Sequence, residues 1–291
     1  MSSPASATDR ASARGLAELV AAGSLEISPR EMHQAGEVAA RLPANSCVYL
    51  PSLPGLPLAR TLQGVVALRA AGLDPVPHVA ARRIVDRGEF RAFLAEASAA
   101  HGVHRVMLIG GDVPAPLGPY ADSLALLESG VLRECGIREI GIAGYPEGHP
   151  RIPAPVLASS FEKKLRLARE QDLGVYVVTQ FSFAPARVVE YCAELARRAP
   201  GVPVYVGIAG PTDPAALARY AQRCGVSVSL RALRTLGAGI AKIVTNTDPA
   251  EQVLALARYC GGREACNVVG VHLYSFGGAV RTAEWMRKQL D

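Results

Sequence analysis

Arg105-Val-Met-Leu-Ile-Gly-Gly-Asp112 is the stretch whose reading decides the fold. Val106 to Ile109 is an apolar run of strand length, and two glycines and a carboxylate follow it. An unbroken apolar run suits a strand buried on both faces, as in a parallel sheet, and the glycines allow backbone or ligand to approach closely before the acid. The same order recurs where Ile140-Gly-Ile-Ala-Gly-Tyr145 runs into Pro-Glu-Gly-His149, and where Gly174-Val-Tyr-Val-Val-Thr-Gln180 runs into Phe-Ser-Phe183. Three successive strands ending in polar groups predict a sheet whose strand ends carry a site.

Working outward, further strands are expected at Ser24–Ser28, Ser46–Leu50, Pro75–Val79, Val204–Gly207 and Asn267–His272. Prolines at 75 and 77 predict that the third strand is short or irregular, because proline cannot donate to a ladder. Helical spacing is found at Arg14–Ala22, Thr61–Ala71, Glu89–His101, Ala121–Glu128, Val156–Gln171, Ala186–Arg198, Pro214–Arg223, Leu230–Ala238, Pro249–Cys260 and Ala279–Gln289. Eight β elements alternating with helices, without a glycine-rich dinucleotide fingerprint after the first strand, predict an α/β fold: a (β/α)8 TIM-type barrel. It is expected as a single domain over residues 15–291, behind a disordered Ser/Ala/Thr-rich tail at 1–14. The length of 291 residues suits a fold that typically needs roughly 250.

No apolar run reaches the roughly 18 residues of a membrane span, so no membrane association is expected. The net charge of +5 comes from arginines spread along the chain, with no block of like charges and little aromatic interleaving, which argues against nucleic acid. Arg82 and Arg83 are either solvated or a basic lip for an anionic ligand. The cysteines at 47, 135, 192, 224, 260 and 266 form no CxxC pair and no zinc-type spacing, so they read as reduced core residues of a cytoplasmic protein without a metal. A homo-oligomer is compatible with all of this. No GxSxG, HExxH, P-loop or Cys/His dyad is present, which leaves acid/base or cofactor-borne chemistry on a small molecule.

Glu26 lies between Leu25 and Ile27, so strand alternation turns it away from both and, in a closed barrel, toward the interior. A carboxylate there is costly unless paired or functional, and both a structural salt bridge and a catalytic acid fit. His78 closes the third strand. The strand ends would collect Glu26, His78, Asp112, His272, Tyr274 and Ser275.

Gly111-Asp112, Gly144-Tyr-Pro-Glu-Gly-His-Pro150, Thr179-Gln-Phe-Ser-Phe183 and His272-Leu-Tyr274 together resemble the methylenetetrahydrofolate reductase family, in the same order and at similar spacing, from about Leu25 to the C-terminus. That resemblance implies a barrel that binds FAD and passes hydride from NADH or NADPH through the flavin to 5,10-methylenetetrahydrofolate, giving 5-methyltetrahydrofolate for one-carbon metabolism and methionine biosynthesis. It implies Glu26 as the general acid that opens the folate's five-membered ring, Asp112 as the charge favouring the resulting cation, and Gln180 as a hydrogen-bonding partner of folate and nicotinamide. Phe181 and Tyr274 would touch the folate. His78, Gly111, Asp112, Tyr145 and His149 would line the flavin, with Lys163 or Lys164 near its phosphates. The chain departs from the family pattern at Pro51-Ser52, Gly110, Ala158 and Gly277-Gly278. Two alternatives accompany this reading: the same chemistry run oxidatively on 5-methyltetrahydrofolate, and a non-catalytic folate-binding protein with an eroded flavin site.

Overall fold

The computed structural model describes residues 7–182, 184–212, 249–261 and 266–291, with backbone alone for 7–13. The helices expected at 214–223 and 230–238, together with Phe183 and Cys224, lie outside the described residues. Eight strands follow the chain in order: β1 (Ser24–Glu26), β2 (Cys47–Leu50), β3 (Asp74–Ala80), β4 (Arg105–Ile109), β5 (Glu139–Gly144), β6 (Gly174–Thr179), β7 (Val204–Ala209) and β8 (Val268–Tyr274). They succeed one another around a closed barrel, and β8 pairs in parallel with β1 through Ser24–His272 and Leu25–Leu273. This is the (β/α)8 TIM-type barrel expected from the sequence.

The apolar runs form strands because the barrel buries both of their faces. Val106, Met107 and Leu108 of β4 are all buried, as are Val48, Tyr49 and Leu50 of β2. Each fully buried Val or Leu side chain contributes about 1.5–3 kcal/mol relative to exposure. Helices α1 (Ala7–Ala21), α2 (Ala35–Ala39), α3 (Leu58–Ala70), α4 (Arg87–Ala99), α5 (Ser123–Glu128), α6 (Val131–Glu134), α7 (Ala154–Glu170), α8 (Pro185–Arg198), α9 (Ala250–Gly261) and α10 (Ala279–Leu290) intervene or flank. Several starts have a local cause. Asp86 caps α4 through the Glu89 N–H at 2.8 Å, and Asp122 caps α5 through the N–H groups of Leu124 and Ala125. Among the described residues no helix is long and apolar enough to cross a membrane.

Two expectations change. The third strand is neither short nor irregular: β3 runs seven residues through both prolines. The Asp74 N–H donates to the Ser46 carbonyl beside β2, so by alternation the nitrogens of Pro75 and Pro77 face the other neighbour, β4. Pairing with β4 begins only at His78, so the prolines remove no ladder bond that β3 makes. At the N-terminus, α1 begins at Ala7, so residues 7–14 of the segment expected as a disordered tail are helical. Helix α1 packs on α9, where a β-carbon at Gly15 would stand 3.1 Å from that of Ala257.

By backbone proximity the chain divides into two compact units. One comprises Met1–Leu25, Tyr145–Glu147 and Thr179–Asp291, the other Glu26–Gly144 and Gly148–Val178. In the second, the starts of β2, β4 and β5 share a polar cluster. The Arg105 guanidinium reaches Glu139 at 3.2 Å and Cys47 Sγ at 3.4 Å, and lies over the Tyr176 ring. Burial pushes the Cys47 thiol up to about 11 and that of Cys192 up to about 12, which leaves both unreactive at neutral pH.

Candidate functional site

Glu26 is the last residue of β1, between Leu25 and Ile27, which are both 0% exposed. Its carboxyl Oε2 stands 3.7 Å from Nε2 of His78, the fifth residue of β3, and the two side chains are 18% and 12% exposed. The distance is ion-pairing but too long for a hydrogen bond, and His78 Nε2 is buried without a hydrogen-bond partner. Burial, and then the charge of Glu31, pushes the Glu26 carboxyl up to about 8, while burial lowers the His78 imidazole to about 4. Near neutral pH the pair is therefore a protonated acid beside a neutral imidazole. Both shifts work against the charged pair that a structural salt bridge would need, although the 3.7 Å separation has ion-pairing geometry. Glu31 is held in place by a capping box at Ser28, whose N–H donates to Glu31 Oε2 at 3.3 Å. The Tyr49 ring stands edge-on to His78, with centroids 5.9 Å apart, and the Tyr49 hydroxyl donates to that of Tyr176 at 3.1 Å.

Asp112 lies three residues past the end of β4, with its side chain 58% exposed. The Arg83 guanidinium grips its Oδ1 and also donates to the Ser52 carbonyl at 2.6 Å and the Ser52 hydroxyl at 3.2 Å. Burial alone would raise the Asp112 carboxyl, but Arg83, with Arg151 behind it, holds it below the ordinary aspartate range. Arg82 donates to the carbonyls of Ala121 at 2.8 Å and Val113 at 3.3 Å. The two arginines are thus partly exposed but tied to acceptors in the loops around them, which is neither of the two states the sequence offered. Gly111 has φ of +90°, a conformation that glycine adopts without penalty, whereas a β-carbon at Gly110 would meet open space. The second glycine is thus required by its backbone conformation, and no protein atom outside the adjoining residues comes within 4 Å of a β-carbon at the first.

Arg83→Ala should return the Asp112 carboxyl to the ordinary aspartate range, an upward shift, and should lower stability by about 1–3 kcal/mol through loss of charged hydrogen bonds to Ser52. Carboxyl titration by NMR and urea unfolding would check both. Arg83→Lys should keep Asp112 low while losing the fork to Ser52, and an unmoved Asp112 in the alanine variant would discard the ion pair as the cause.

The other expected positions are distributed as follows. His149 Nδ1 accepts the Arg151 N–H at 3.1 Å, and burial followed by the Arg151 charge lowers its pKa. Lys163 is exposed on α7. Lys164 is half-buried, and burial lowers its pKa against the opposing pull of Asp122. These residues, like Glu26, His78, Gly111 and Asp112, belong to the second unit.

In the first unit, Tyr145 is half-buried and its hydroxyl pKa is raised by burial. Gln180 follows the end of β6, and Phe181 behind it is 3% exposed. The Phe181 ring lies 5.8 Å from Tyr274 and 5.1 Å from Phe276, and Tyr274 and Phe276 are nearly parallel at 14°. Thr179 joins them: its carbonyl accepts the Tyr274 hydroxyl at 3.0 Å and its Oγ1 accepts the Gly207 N–H at 2.9 Å. His272 is fully buried, with Nδ1 2.9 Å from the Ser24 hydroxyl. Sequence reasoning missed the latch in which the Ser182 hydroxyl donates to Glu147 at 2.5 Å, although both residues lie in quoted motifs. It also missed Phe276, whose φ of +48° is uncommon for an aromatic residue. Among the described residues, no group of three or more His, Cys, Asp or Glu could hold a metal ion.

No protein-family model matches the chain. Among solved structures the chain is similar to an uncharacterized protein from Clostridium thermocellum that binds two copies of 5-methyl-5,6,7,8-tetrahydrofolic acid. The match has a TM-score of 0.57 at 12% identity, over 91% of this chain and 94% of that one. Two 3-dehydroquinate dehydratases match less well. That of Geobacillus kaustophilus HTA426 has a TM-score of 0.41 at 14% identity over 65% of this chain and 73% of that one. That of Aquifex aeolicus VF5 has a TM-score of 0.43 at 11% identity over 92% and 96%. At such identities the likeness to the Clostridium protein is one of fold, and the two weaker matches add nothing to it.

Proposed function

We propose that the chain binds a reduced folate and that Glu26 acts as general acid in interconverting 5,10-methylenetetrahydrofolate and 5-methyltetrahydrofolate. The observation that carries this reading is a carboxyl at a strand end, largely buried 3.7 Å from an imidazole nitrogen, where burial pushes its pKa up to about 8 and that of the imidazole down to about 4. An ordinary glutamate would already be ionised there and could not donate. Protonation of the leaving nitrogen opens the methylene bridge of the folate to an iminium cation, which accepts hydride from a reduced nicotinamide, NADH or NADPH. Asp112 contributes less to that cation than an unpaired carboxylate would, because Arg83 offsets its charge. The folate motifs in the sequence, and a fold shared with a protein that binds 5-methyltetrahydrofolic acid, support the same substrate class.

FAD, when bound in such a barrel, would relay hydride from nicotinamide to folate. The residues assigned to it do not fit a diphosphate cradle as they stand. Arg82 and Arg83 are tied to the protein's own carbonyls and to Asp112 through part of their donors, Lys164 is half-buried near Asp122, and Lys163 is exposed. The proposed chemistry therefore runs through Glu26, the folate and the nicotinamide.

Calorimetric titration with 5-methyltetrahydrofolate, and anaerobic assays of both reaction directions with and without FAD, test this reading. Saturable binding with nicotinamide-dependent turnover in the absence of FAD is expected. Turnover only with added FAD would restore the flavin to the mechanism. Binding without turnover under any donor would leave a folate-binding protein, and no binding would reject the reading.

A further inference from the structure

A proton donor must be reloaded after each turnover. Once Glu26 has given its proton to the folate nitrogen, it becomes a carboxylate in a nearly dry environment, and burial of an uncompensated charge is costly. Glu31 adds like charge from the segment Pro29–Gln34, and Tyr49 meets the His78 ring only by its edge. Among the described residues the single ion-pairing geometry that Glu26 makes is with His78 Nε2, at 3.7 Å. That nitrogen is buried and has no hydrogen-bond partner, and of the seven such side-chain atoms among the described residues it is the one that stands within 4 Å of the Glu26 carboxyl. A carboxylate shift of less than about 1 Å would bring the two within hydrogen-bonding distance.

Resting on the folate chemistry proposed above, we infer that His78 is the proton-return partner of Glu26. In the first step the Glu26 O–H bond breaks and an N–H bond forms on the folate nitrogen, leaving a carboxylate. The new negative charge raises the basicity of the adjacent imidazole, whose ring takes a proton from a hydronium ion of the solvent. A transient imidazolium–carboxylate pair forms, and transfer of that proton from Nε2 to the carboxylate restores both neutral groups. No electron changes hands in this cycle, and the proton consumed comes from solvent. The resting state is the neutral pair, in line with an acid pushed up to about 8 and an imidazole lowered to about 4.

The test separates the first turnover from those that follow, using the full-length protein, methylenetetrahydrofolate and whichever nicotinamide supports wild-type turnover. His78→Gln keeps a polar side chain but cannot carry the proton. Its first turnover should stay within about two-fold of wild type while steady-state kcat falls about ten-fold or more. His78→Gly should show the same split, and added imidazole should restore a large part of its kcat without changing the first turnover. A side chain needed only for packing would slow both phases together and would not respond to imidazole, and that result would overturn the assignment. So would a glutamine variant as fast as wild type in both phases. If His78→Gln does not fold, rescue of the glycine variant by imidazole still decides, and failure of rescue counts against the inference. A wild-type protein that binds folate and turns over, with no split in either variant, sinks the role of His78 alone. A wild type inert toward every reduced folate sinks the proposed function and this inference with it.

Discussion

Glu26→Gln should abolish folate conversion and at the same time make the protein more stable at alkaline pH. Loss of the proton donor should lower turnover by about 10²-fold or more, because glutamine keeps the shape and hydrogen-bonding capacity of the acid but has no proton to give. The stability effect follows from linkage. The Glu26 carboxyl is raised from an ordinary 4.5 to about 8, so between those values the native state holds a proton that the unfolded chain has released. Below pH 4.5 the two states are protonated alike and the group is neutral in its effect. As pH rises from there through 8, wild-type stability falls, by an amount approaching roughly 5 kcal/mol at about 1.4 kcal/mol per pKa unit.

His78 has the opposite sign. Its folded pKa is depressed from 6.5 to about 4, so stability is lost as pH falls through that window. Between pH 4.5 and 6.5 the two slopes oppose each other, and above 6.5 only Glu26 acts. Thermal unfolding of wild type should therefore show a declining Tm from about pH 6.5 to 8, and Glu26→Gln should flatten it. A glutamine variant less stable than wild type at pH 8 would mean that the carboxylate is ionised and paired, contrary to the geometry around it.

Gly207→Ala should be the most disruptive small substitution in the first unit. A β-carbon at Gly207 would lie 2.0 Å from the Thr179 carbonyl oxygen and 2.7 Å from Cε2 of Tyr274. The carbonyl is fixed because it accepts the Tyr274 hydroxyl at 3.0 Å, while Thr179 Oγ1 accepts the Gly207 N–H at 2.9 Å. Neither neighbour is the free end of a flexible chain, so β7 would have to move away from β6 and lose those bonds. A cost of about 3 kcal/mol or more is expected, beyond ordinary overpacking. Gly110→Ala is the control. No atom lies within 4 Å of its added carbon, and its cost should stay within about 1 kcal/mol. Urea unfolding of the two variants side by side checks the contrast, and a Gly207→Ala protein as stable as wild type would refute the packing argument. The aromatic cluster of Phe181, Tyr274 and Phe276 should be disturbed with it, and near-ultraviolet circular dichroism would register that.

The barrel was legible in the sequence because its cause is local. Runs such as Val106–Ile109 are apolar on both faces, and only a strand covered on both sides satisfies them, so eight such runs between amphipathic helices admit few architectures. Single residues at strand ends, among them Glu26, Asp112, Gln180 and Tyr274, were legible for the same reason, since polar groups stand out where an apolar run stops. Local rules misjudged β3, where the prolines proved harmless once the register showed which neighbour their nitrogens face. What a carboxylate does depends on what stands across from it, and that is not local. Glu26 and His78 are 52 positions apart, and their shared burial favours a protonated acid beside a neutral base. Arg83 and Asp112 meet across 29 positions, and their contact converts a free anion and a free cation into an internal tie. Sequence alone determined which groups the chain carries to its strand ends. Only the tertiary structure decided their charge, because charge follows from desolvation and from partners brought together by the closing of the barrel.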